Sequence, residues 1–331
     1  MTERFFFELS GEHPSMPAAE AKACIKAASG SGPVSFSNGP GYVIAEFDAD
    51  AFTEISERIA LTQKMGRHIG SFGADDISKM DGITIPEGTF AVRARRFEGM
   101  MTDVNTNDIV RKLGKALSKD NEVRLDDPDI TVRVFMSDMI HVFLCDADID
   151  RSVFEKRKVA ERPFFSPISL HPKFARASVN LTCVKKGGIV LDPFCGTGGI
   201  ILEAASMGMR VIASDLDERM VSGCAENMEH YGMKLYDSDV LDIGGIPSRF
   251  SDVDAVVTDP PYGRSTRTAG ENVNDIYKRA MQPINETLKQ GGRATVVLPC
   301  ELGTDAMIRE NMFIQRVHGS LSRHYHVFRK S

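Results

Sequence analysis

The sequence predicts an α/β protein whose C-terminal half folds as an open, mostly parallel sheet, and two observations carry this prediction. From about residue 181 onward, short apolar segments that end in polar residues alternate with helical segments, which is typical of buried parallel strands. The first apolar segment runs directly into a glycine-rich turn and a helix, the arrangement at the ligand-binding edge of such sheets. Strands are predicted at 189–192, 210–215, 254–259 and 293–298, and an antiparallel C-terminal hairpin at 317–321 and 325–328.

Length and composition bound the class of protein. A chain of 331 residues predicts two or three domains, and 42% hydrophobic with 26% charged residues excludes wholesale disorder. We expect no transmembrane helix, because the chain has no run of about 18 apolar residues, and no signal peptide. The six cysteines are far apart and form no CxxC pair, which favours a cytoplasmic location. The net charge of −6, taken alone, argues against a nucleic-acid-binding protein.

A smaller α+β module is predicted ahead of this sheet. Within 1–47, a strand at 4–9 precedes an alanine-rich helix that begins near Pro17 and ends at Gly30. An Asn-Gly-Pro-Gly turn then predicts a hairpin between 34 and 47.

Residues 48–150 form a second predicted unit within that module. Asp50 is expected to cap a helix whose apolar positions lie on one face. The further elements are an alternating strand at 89–97, a helix at 107–117, and strands at 130–135 and 140–144.

Residues 151–180 differ from both neighbouring regions in charge. They hold seven Lys and Arg residues against two Asp and Glu residues, together with three prolines. Because proline disfavours long helices, this basic segment is predicted to be an extended linker.

The glycine-rich turn lies in the string LDPFCGTGGIILEAA. Gly196 and Gly198 allow the backbone to approach a ligand closely, and the helix that follows favours a negative group at its N-terminus. A dinucleotide fingerprint would need Gly or Ala where this chain has Ile201, which weakens a nicotinamide oxidoreductase as the function. Cys195 is predicted to be a buried packing residue and not a nucleophile.

Three carboxylates near the ends of the predicted strands suit one ligand. Asp192 is placed to bind a cationic amino group, Asp215 a ribose diol, and Asp239 an adenine amino group. S-adenosylmethionine carries these groups without a phosphate, so it is the expected cofactor. The alternative that these residues only cap helices and turns stays open, above all for Asp239.

A second motif, Asp259-Pro260-Pro261-Tyr262, follows the fourth apolar strand. The Asp259 carboxylate and the Pro260 carbonyl can each accept a hydrogen bond from one planar NH2 group, and Tyr262 can stack on the ring that carries it. Such a nitrogen is a poor nucleophile because its lone pair is delocalised, so its reaction depends on positioning and charge placement. Asp259 is also a candidate to receive the proton that the product loses.

The string DPFCGTGG followed by DPPY resembles the class I S-adenosylmethionine-dependent methyltransferases that modify exocyclic nitrogens. The longer strings FEKRKVAERPFFSPISLHPKFARASVNL, NMEHYG and TDPPYGRST are similar to those of the archaeal tRNA guanine-N2 methyltransferases that act at position 10. This resemblance covers the chain from about residue 89 to its end, and it implies methylation of a tRNA guanosine at N2. It also implies a ferredoxin-like domain at 1–47, a THUMP RNA-binding domain at 48–150, the basic linker at 151–180 and a Rossmann-like methyltransferase domain at 181–331.

The same resemblance implies roles for the matched positions. It implies catalytic roles for Asp259, Pro260 and Tyr262. It implies cofactor binding by Asp192, Phe194, Gly196, Gly198, Asp215, Leu216, Asp239 and Val240.

Local charge, rather than the total charge, predicts where tRNA binds. Phe164 and Phe165 interleave with the basic linker residues and are predicted to pack between domains, with base stacking as the alternative. The candidate RNA-binding residues are Arg93, Arg95, Lys156, Arg157, Arg162 and Arg264.

Other substrates and roles stay open from the sequence alone. The DPPY motif also resembles those of DNA adenine and protein glutamine methyltransferases, and the guanosine could lie elsewhere in tRNA or rRNA. A catalytically inactive RNA-binding module is opposed by the intact Asp259. We expect no metal, because His324 and His326 lack further ligands, and no membrane partner. A monomer is favoured, although the sequence determines neither the oligomeric state nor the number of methyl groups added.

Overall fold

The computed structural model describes residues 1–166, 169–262, 271–319 and 321–330. The chain forms two compact units, each with its own sheet. The first unit comprises Met1–Ile25, Ser31–Ser56 and Leu61–Asp150, and the second comprises Lys26–Gly30, Glu57–Ala60 and Arg151–Ser331.

A nine-stranded sheet in the order β2-β3-β1-β4-β8-β7-β5-β6, with β9 paired to β4, forms the framework of the first unit. Its strands are β1 (Thr2–Leu9), β2 (Ser35–Gly39), β3 (Tyr42–Asp48), β4 (Thr62–Phe72), β5 (Thr89–Arg96), β6 (Glu122–Val123), β7 (Ile130–Met136), β8 (Ile140–Leu144) and β9 (Ala147–Asp148). Three helices accompany these strands in sequence, namely α1 (Met16–Ser29), α2 (Phe52–Arg58) and α3 (Thr106–Leu117).

Strand β4 runs through the middle of this sheet and was not predicted from the sequence. Its residues 62–67 pair with β1, and its residues 68–72 pair with β8. The sheet is therefore continuous across position 47, where a domain boundary is predicted. A smaller difference concerns the turn before α2, where Asp48 and not Asp50 provides the cap by accepting the Asp50 N–H.

A seven-stranded sheet in the order β12-β11-β10-β13-β14-β16-β15 forms the framework of the second unit. Strands β10 to β14 are parallel, and β16 runs antiparallel between β14 and β15. The strands are β10 (Ile189–Asp192), β11 (Arg210–Asp215), β12 (Asp237–Val240), β13 (Val253–Thr258), β14 (Leu288–Leu298), β15 (Ile308–His318) and β16 (Leu321–Arg329). This arrangement confirms the predicted α/β class, although the C-terminal hairpin begins at residue 308 instead of 317.

The helices of the second unit include two in the segment that was predicted to be an extended linker. They are α4 (Ser152–Glu155), α5 (Pro172–Leu181), α6 (Gly199–Ser206), α7 (Glu218–His230), α8 (Ile246–Arg249) and α9 (Val273–Thr287). Pro172 begins α5 instead of preventing it, because the first helical position needs no N–H donor. His171 caps the same helix by accepting the Lys173 N–H at 3.4 Å. Within the described ranges, no helix is long and apolar enough to span a bilayer.

Candidate active site

A glycine-rich turn joins β10 to α6 and forms one wall of the candidate site. Gly196 and Gly198 have φ values of +50° and +78°, the left-handed region that glycine enters at little cost. A Cβ atom on Gly198 would also lie 2.5 Å from the Cys224 sulfur, so a side chain does not fit there. Cys195 beside them is buried, as predicted for a packing residue.

Asp192 ends β10 and is 1% exposed. Its Oδ1 accepts a hydrogen bond from the Thr258 hydroxyl at 2.7 Å and another from the Phe194 N–H at 3.1 Å. Burial raises the pKa of Asp192 to about 8, and the charges of Asp215 and Asp259 add to the rise. The carboxyl is therefore mostly protonated at neutral pH, and a cation bound beside it would favour the ionised form.

Asp215 ends the neighbouring strand β11 and ties the glycine-rich turn to it. Its Oδ2 accepts the Gly196 N–H at 3.0 Å, and its Oδ1 accepts the Asp217 N–H at 3.0 Å. Burial raises the pKa of the Asp215 carboxyl above its ordinary value. A carboxylate at the end of the second parallel strand has the position that suits a ribose diol.

A cavity of about 380 Å³ opens where these strands end. It is large enough for a small-molecule ligand. Asp192 and Gly198 do not line the cavity. Asp192 nevertheless accepts a hydrogen bond from the N–H of Phe194, which does line it. The predicted site residues that line it are Phe194, Gly196, Asp215, Leu216, Asp259, Pro260 and Tyr262.

Asp239 and Val240, the predicted adenine contacts, lie outside the cavity lining. Asp239 accepts a hydrogen bond from Arg249 Nε at 3.0 Å, and Val240 is 41% exposed. The lining contains instead the next three residues, 241–243. The aspartates in the string YDSDVLD are too alike in spacing for the sequence to distinguish which of them reaches the site.

Asp242 is a lining residue that the sequence reasoning missed. Its Oδ1 accepts the Gly244 N–H at 2.9 Å and Arg279 Nη1 at 2.5 Å, and its Oδ2 accepts Arg279 Nη2 at 3.0 Å. The hydrogen bond from Arg279 lowers the pKa of Asp242. Arg279 also donates to Glu271 at 2.8 Å, and all three charged side chains line the cavity.

The Asp259–Tyr262 motif follows β13 and faces the same cavity. The Tyr262 hydroxyl donates a hydrogen bond to Asp259 Oδ1. Burial raises the pKa of Asp259 to about 6, while the Tyr262 hydrogen bond and the charge of Arg323 oppose the rise. Asp259 is therefore mostly ionised at neutral pH and can accept a hydrogen bond or a proton.

Tyr277 on α9 supports the motif and was also missed from the sequence. Its hydroxyl donates to the Pro261 carbonyl at 2.7 Å, and its side chain is 2% exposed. Burial raises the pKa of Tyr277, so the hydroxyl stays a donor. The only sequence signal is its position on the buried face of an amphipathic helix.

Two arginines predicted to contact RNA are engaged inside the second unit instead. Arg157 donates to the buried Glu203 through Nε at 2.7 Å and Nη2 at 3.1 Å. Arg162 is 4% exposed and donates to Ser169 Oγ at 3.4 Å and to Thr197 Oγ1 at 3.2 Å. These contacts anchor the 151–180 region against α6 and the glycine-rich turn. They also leave the guanidinium groups of Arg157 and Arg162 with little exposure to solvent.

The two phenylalanines of this region differ in exposure. The Asn227 side chain accepts the Phe164 N–H at 3.0 Å and donates to the Phe164 carbonyl at 2.7 Å. The Phe164 ring packs on α7, where Gly223 leaves room for it. Phe165 is 64% exposed, and Lys156 is also exposed.

The predicted RNA contacts of the first unit are partly occupied by protein groups. Arg93 is exposed and donates to the Leu125 carbonyl at 2.5 Å. Arg95 donates through Nη1 to the buried Glu8 at 2.7 Å. Arg264 lies outside the described residues, so its role in RNA binding stays a prediction.

The two C-terminal histidines pack against protein groups. His326 Nε2 lies 3.1 Å from the Cys300 carbonyl oxygen, and its ring stacks on that of His324. In the part of the chain that the structure describes, no group of His, Cys, Asp and Glu has the arrangement of a metal site.

Comparison with known families and sequences identifies two domains and close relatives. The family described as "RMKL-like, methyltransferase domain" matches residues 160–323, and the THUMP domain family matches residues 75–143. The chain is 35% identical over 331 residues to the tRNA (guanine(10)-N2)-dimethyltransferase of Methanothermobacter thermautotrophicus, with 95% of this chain and 96% of the relative covered. It is 33% identical to the Pyrococcus abyssi protein of the same name, with 98% of each chain covered.

Solved structures share the fold of this chain. The crystal structure of TrmN from Thermus thermophilus matches with a TM-score of 0.56 and 22% identity, covering 99% of this chain and all of that one. A possible methylase from Clostridium difficile 630 matches with a TM-score of 0.54 and 16% identity, covering 100% of this chain and 99% of that one.

Proposed function

The chain belongs to the tRNA (guanine(10)-N2)-dimethyltransferase family, and on that premise we propose that it transfers methyl groups from S-adenosylmethionine to the exocyclic N2 of guanosine 10 in tRNA. The observation that carries the proposal is a shared cavity, because the Asp259–Tyr262 motif and the strand-end carboxylate Asp215 line it together. Asp259, which can accept hydrogen bonds from an amino group, and Asp215, which suits a ribose diol, therefore line the same cavity.

The charge of this cavity fits S-adenosylmethionine. Arg219 donates to Asp217 at 2.8 Å, and Arg279 is held by two carboxylates, so both guanidinium groups are paired. A phosphate would find no unpaired cation among the described lining residues, whereas a sulfonium and an ammonium would be attracted. The described lining carries two arginines, Arg219 and Arg279, and five carboxylates, Asp215, Asp217, Asp242, Asp259 and Glu271.

We assign the methyl-transfer roles to the Asp259–Tyr262 motif. When bound, S-adenosylmethionine supplies a methyl group on a positively charged sulfur. The Asp259 carboxylate and the Pro260 carbonyl accept the two N–H groups of guanine N2 and hold its lone pair in line with the methyl carbon. Methyl transfer to N2 would leave the electron pair of the broken C–S bond on the sulfur and a positive charge on N2. Asp259 then accepts one N2 proton, directly or through water.

Two further aspects of the proposal rest on the relatives and on the composition. Because the archaeal relatives are named dimethyltransferases, we expect two successive transfers to the same N2. We assign tRNA binding to the first unit, with its THUMP match, and to Arg93, Lys156 and Arg264. The cysteines are free thiols, which supports a reducing cytoplasm as the location.

Labelled methyl transfer into bulk tRNA, followed by nucleoside analysis, tests the proposal. We expect label in N2-methylguanosine and N2,N2-dimethylguanosine that maps to position 10. Label in adenosine, cytidine or protein would contradict it.

The variant Asp259→Ala tests the catalytic assignment. It is expected to lower the single-turnover rate roughly 100-fold or more and to leave cofactor affinity nearly unchanged. Asp305→Ala removes an exposed carboxylate of the same unit and is the matched control. Full activity of Asp259→Ala would remove Asp259 from the mechanism.

A further inference from the structure

Arg323 is a buried cation next to the catalytic motif, and no sequence motif marks it. It lies on β16 and is 8% exposed. Its Nη2 donates to the Ser169 carbonyl at 3.3 Å, and its side chain hydrogen-bonds Tyr262. Its Nε is buried and finds no hydrogen-bond partner among the described residues. A buried guanidinium with an unused donor is costly, so packing alone is a poor reason for its presence.

The charge of Arg323 acts on Asp259. It favours the ionised carboxylate and opposes the effect of burial on the Asp259 pKa. Burial raises the pKa of each neighbouring tyrosine, so these stay neutral, and Asp192 is mostly protonated at neutral pH. Among the residues that the structure describes, the groups that interact with Asp259 are Asp192 from β10, Tyr262 from its own motif, Tyr277 from α9, and Arg323 and Tyr325 from β16. Arg323 is the permanent positive charge of this set.

Ser169 connects Arg323 to the glycine-rich turn. Its carbonyl accepts Arg323 Nη2, while its hydroxyl oxygen lies 3.4 Å from Arg162 Nη1. Arg162 in turn donates to Thr197 in the turn at 3.2 Å. One chain of polar contacts therefore runs from the cofactor turn to Tyr262.

We propose that Arg323 is a positioning residue for methyl transfer, which holds Tyr262 in place and serves as the counter-charge that keeps Asp259 ionised to receive the guanine amino group. The inference rests on the proposed function, since it assigns a further residue to the same site. It requires that the charge of Arg323, and not only its volume, determines the rate.

The pH dependence of the single-turnover rate tests this inference. The wild-type rate is expected to fall as Asp259 is protonated near pH 6. In Arg323→Met the Asp259 pKa should rise above its wild-type value of about 6, because the positive charge that opposes the effect of burial is lost. A rise of about two units would lower the rate at pH 7 about tenfold, and the rate should recover at higher pH. The KM for tRNA and the affinity for the cofactor should change little, and Arg323→Lys should keep the wild-type pH profile.

Two further variants separate charge from structure. Arg323→Gln keeps a donor without the charge and should show the same shift as Arg323→Met, so it also serves if the Met variant does not fold. Arg309→Met removes an exposed arginine of the same unit and should leave the profile unchanged. A rate that falls equally at every pH in Arg323→Met or Arg323→Gln would overturn the inference. A wild-type protein that does not methylate tRNA guanosine would instead overturn the proposed function, and the inference with it.

Discussion

Cofactor binding is expected to release a proton from Asp192. With a pKa of about 8 in the free protein, this carboxyl is about 90% protonated at pH 7. Asp192 is predicted to bind the ammonium group of S-adenosylmethionine, and this positive charge favours the carboxylate. Binding at pH 7 should then release about 0.9 proton, and the Kd should rise up to about tenfold for each pH unit below 7.

Isothermal titration calorimetry in buffers of different ionisation enthalpy measures this proton. The slope of the observed heat against the buffer ionisation enthalpy gives the number of protons released. The window is pH 6 to 7, because the cofactor's own ammonium begins to lose its proton near pH 8. Asp192→Asn should bind more weakly with a slope near zero. Asp242→Asn removes a lining carboxylate that is not among the charges raising the Asp192 pKa, so it is the matched control and should keep the slope. Wild-type heats that do not depend on the buffer would show that cofactor binding releases no proton from Asp192.

Thr258→Val probes the same carboxyl without removing it. The Thr258 hydroxyl hydrogen-bonds Asp192 and favours its ionised form, so the variant should raise the Asp192 pKa further and weaken cofactor binding at pH 7.

The raised pKa of Asp192 also affects folding stability. Between about pH 4 and pH 8 the folded state holds a proton on Asp192 that the unfolded state releases, so this residue lowers stability as the pH rises. Asp192→Asn should lack that decline in a series of urea unfolding curves.

Two stability predictions test the contacts that hold the active-site region together. Glu203→Gln breaks a buried ion pair with two arginines and should lower the free energy of unfolding by about 3–5 kcal/mol. Glu301 is exposed, so Glu301→Gln should lower it by only about 0–1 kcal/mol. Equal losses for the two variants in urea unfolding would contradict the buried pairing. Gly223→Ala would place a Cβ 2.0 Å from the Phe164 ring and should cost about 1–3 kcal/mol. Gly114→Ala, which meets open space in α3, should instead be neutral or stabilising, and an unchanged melting temperature in Gly223→Ala would show that Phe164 moves freely.

The sequence was most informative where local chemistry decides the structure. The parallel strands of the second unit are continuous apolar runs, and Gly196 and Gly198 mark a turn in the left-handed region that glycine enters at little cost, so both were predictable. Strand β4 was not, because glycines and charged residues interrupt its alternation and its stability comes from pairing with β1 and β8. Helix α5 was hidden for a related reason, since Pro172 is helix-breaking inside a helix but favourable at its first position.

The side chains of the site were predictable only when the chain places them in a motif. Asp259 and Tyr262 are the first and last residues of one tetrapeptide, and both line the cavity. Asp242 and Arg323 reach the site through tertiary packing from positions with no local signature. The charge of the linker did not predict which of its arginines are available to RNA. Arg162 has the same formal charge in solvent as in its buried position, where it is 4% exposed.

The path of β4 limits how the chain can be shortened. Its first six residues, 62–67, are bonded to β1 and its last five, 68–72, to β8, so one strand belongs to both halves of the first unit. Deleting residues 1–47 would remove β1 and leave the first half of β4 as an unpaired strand edge, which favours pairing with other chains. The N-terminal segment and the segment with the THUMP match are therefore expected to unfold as one cooperative unit.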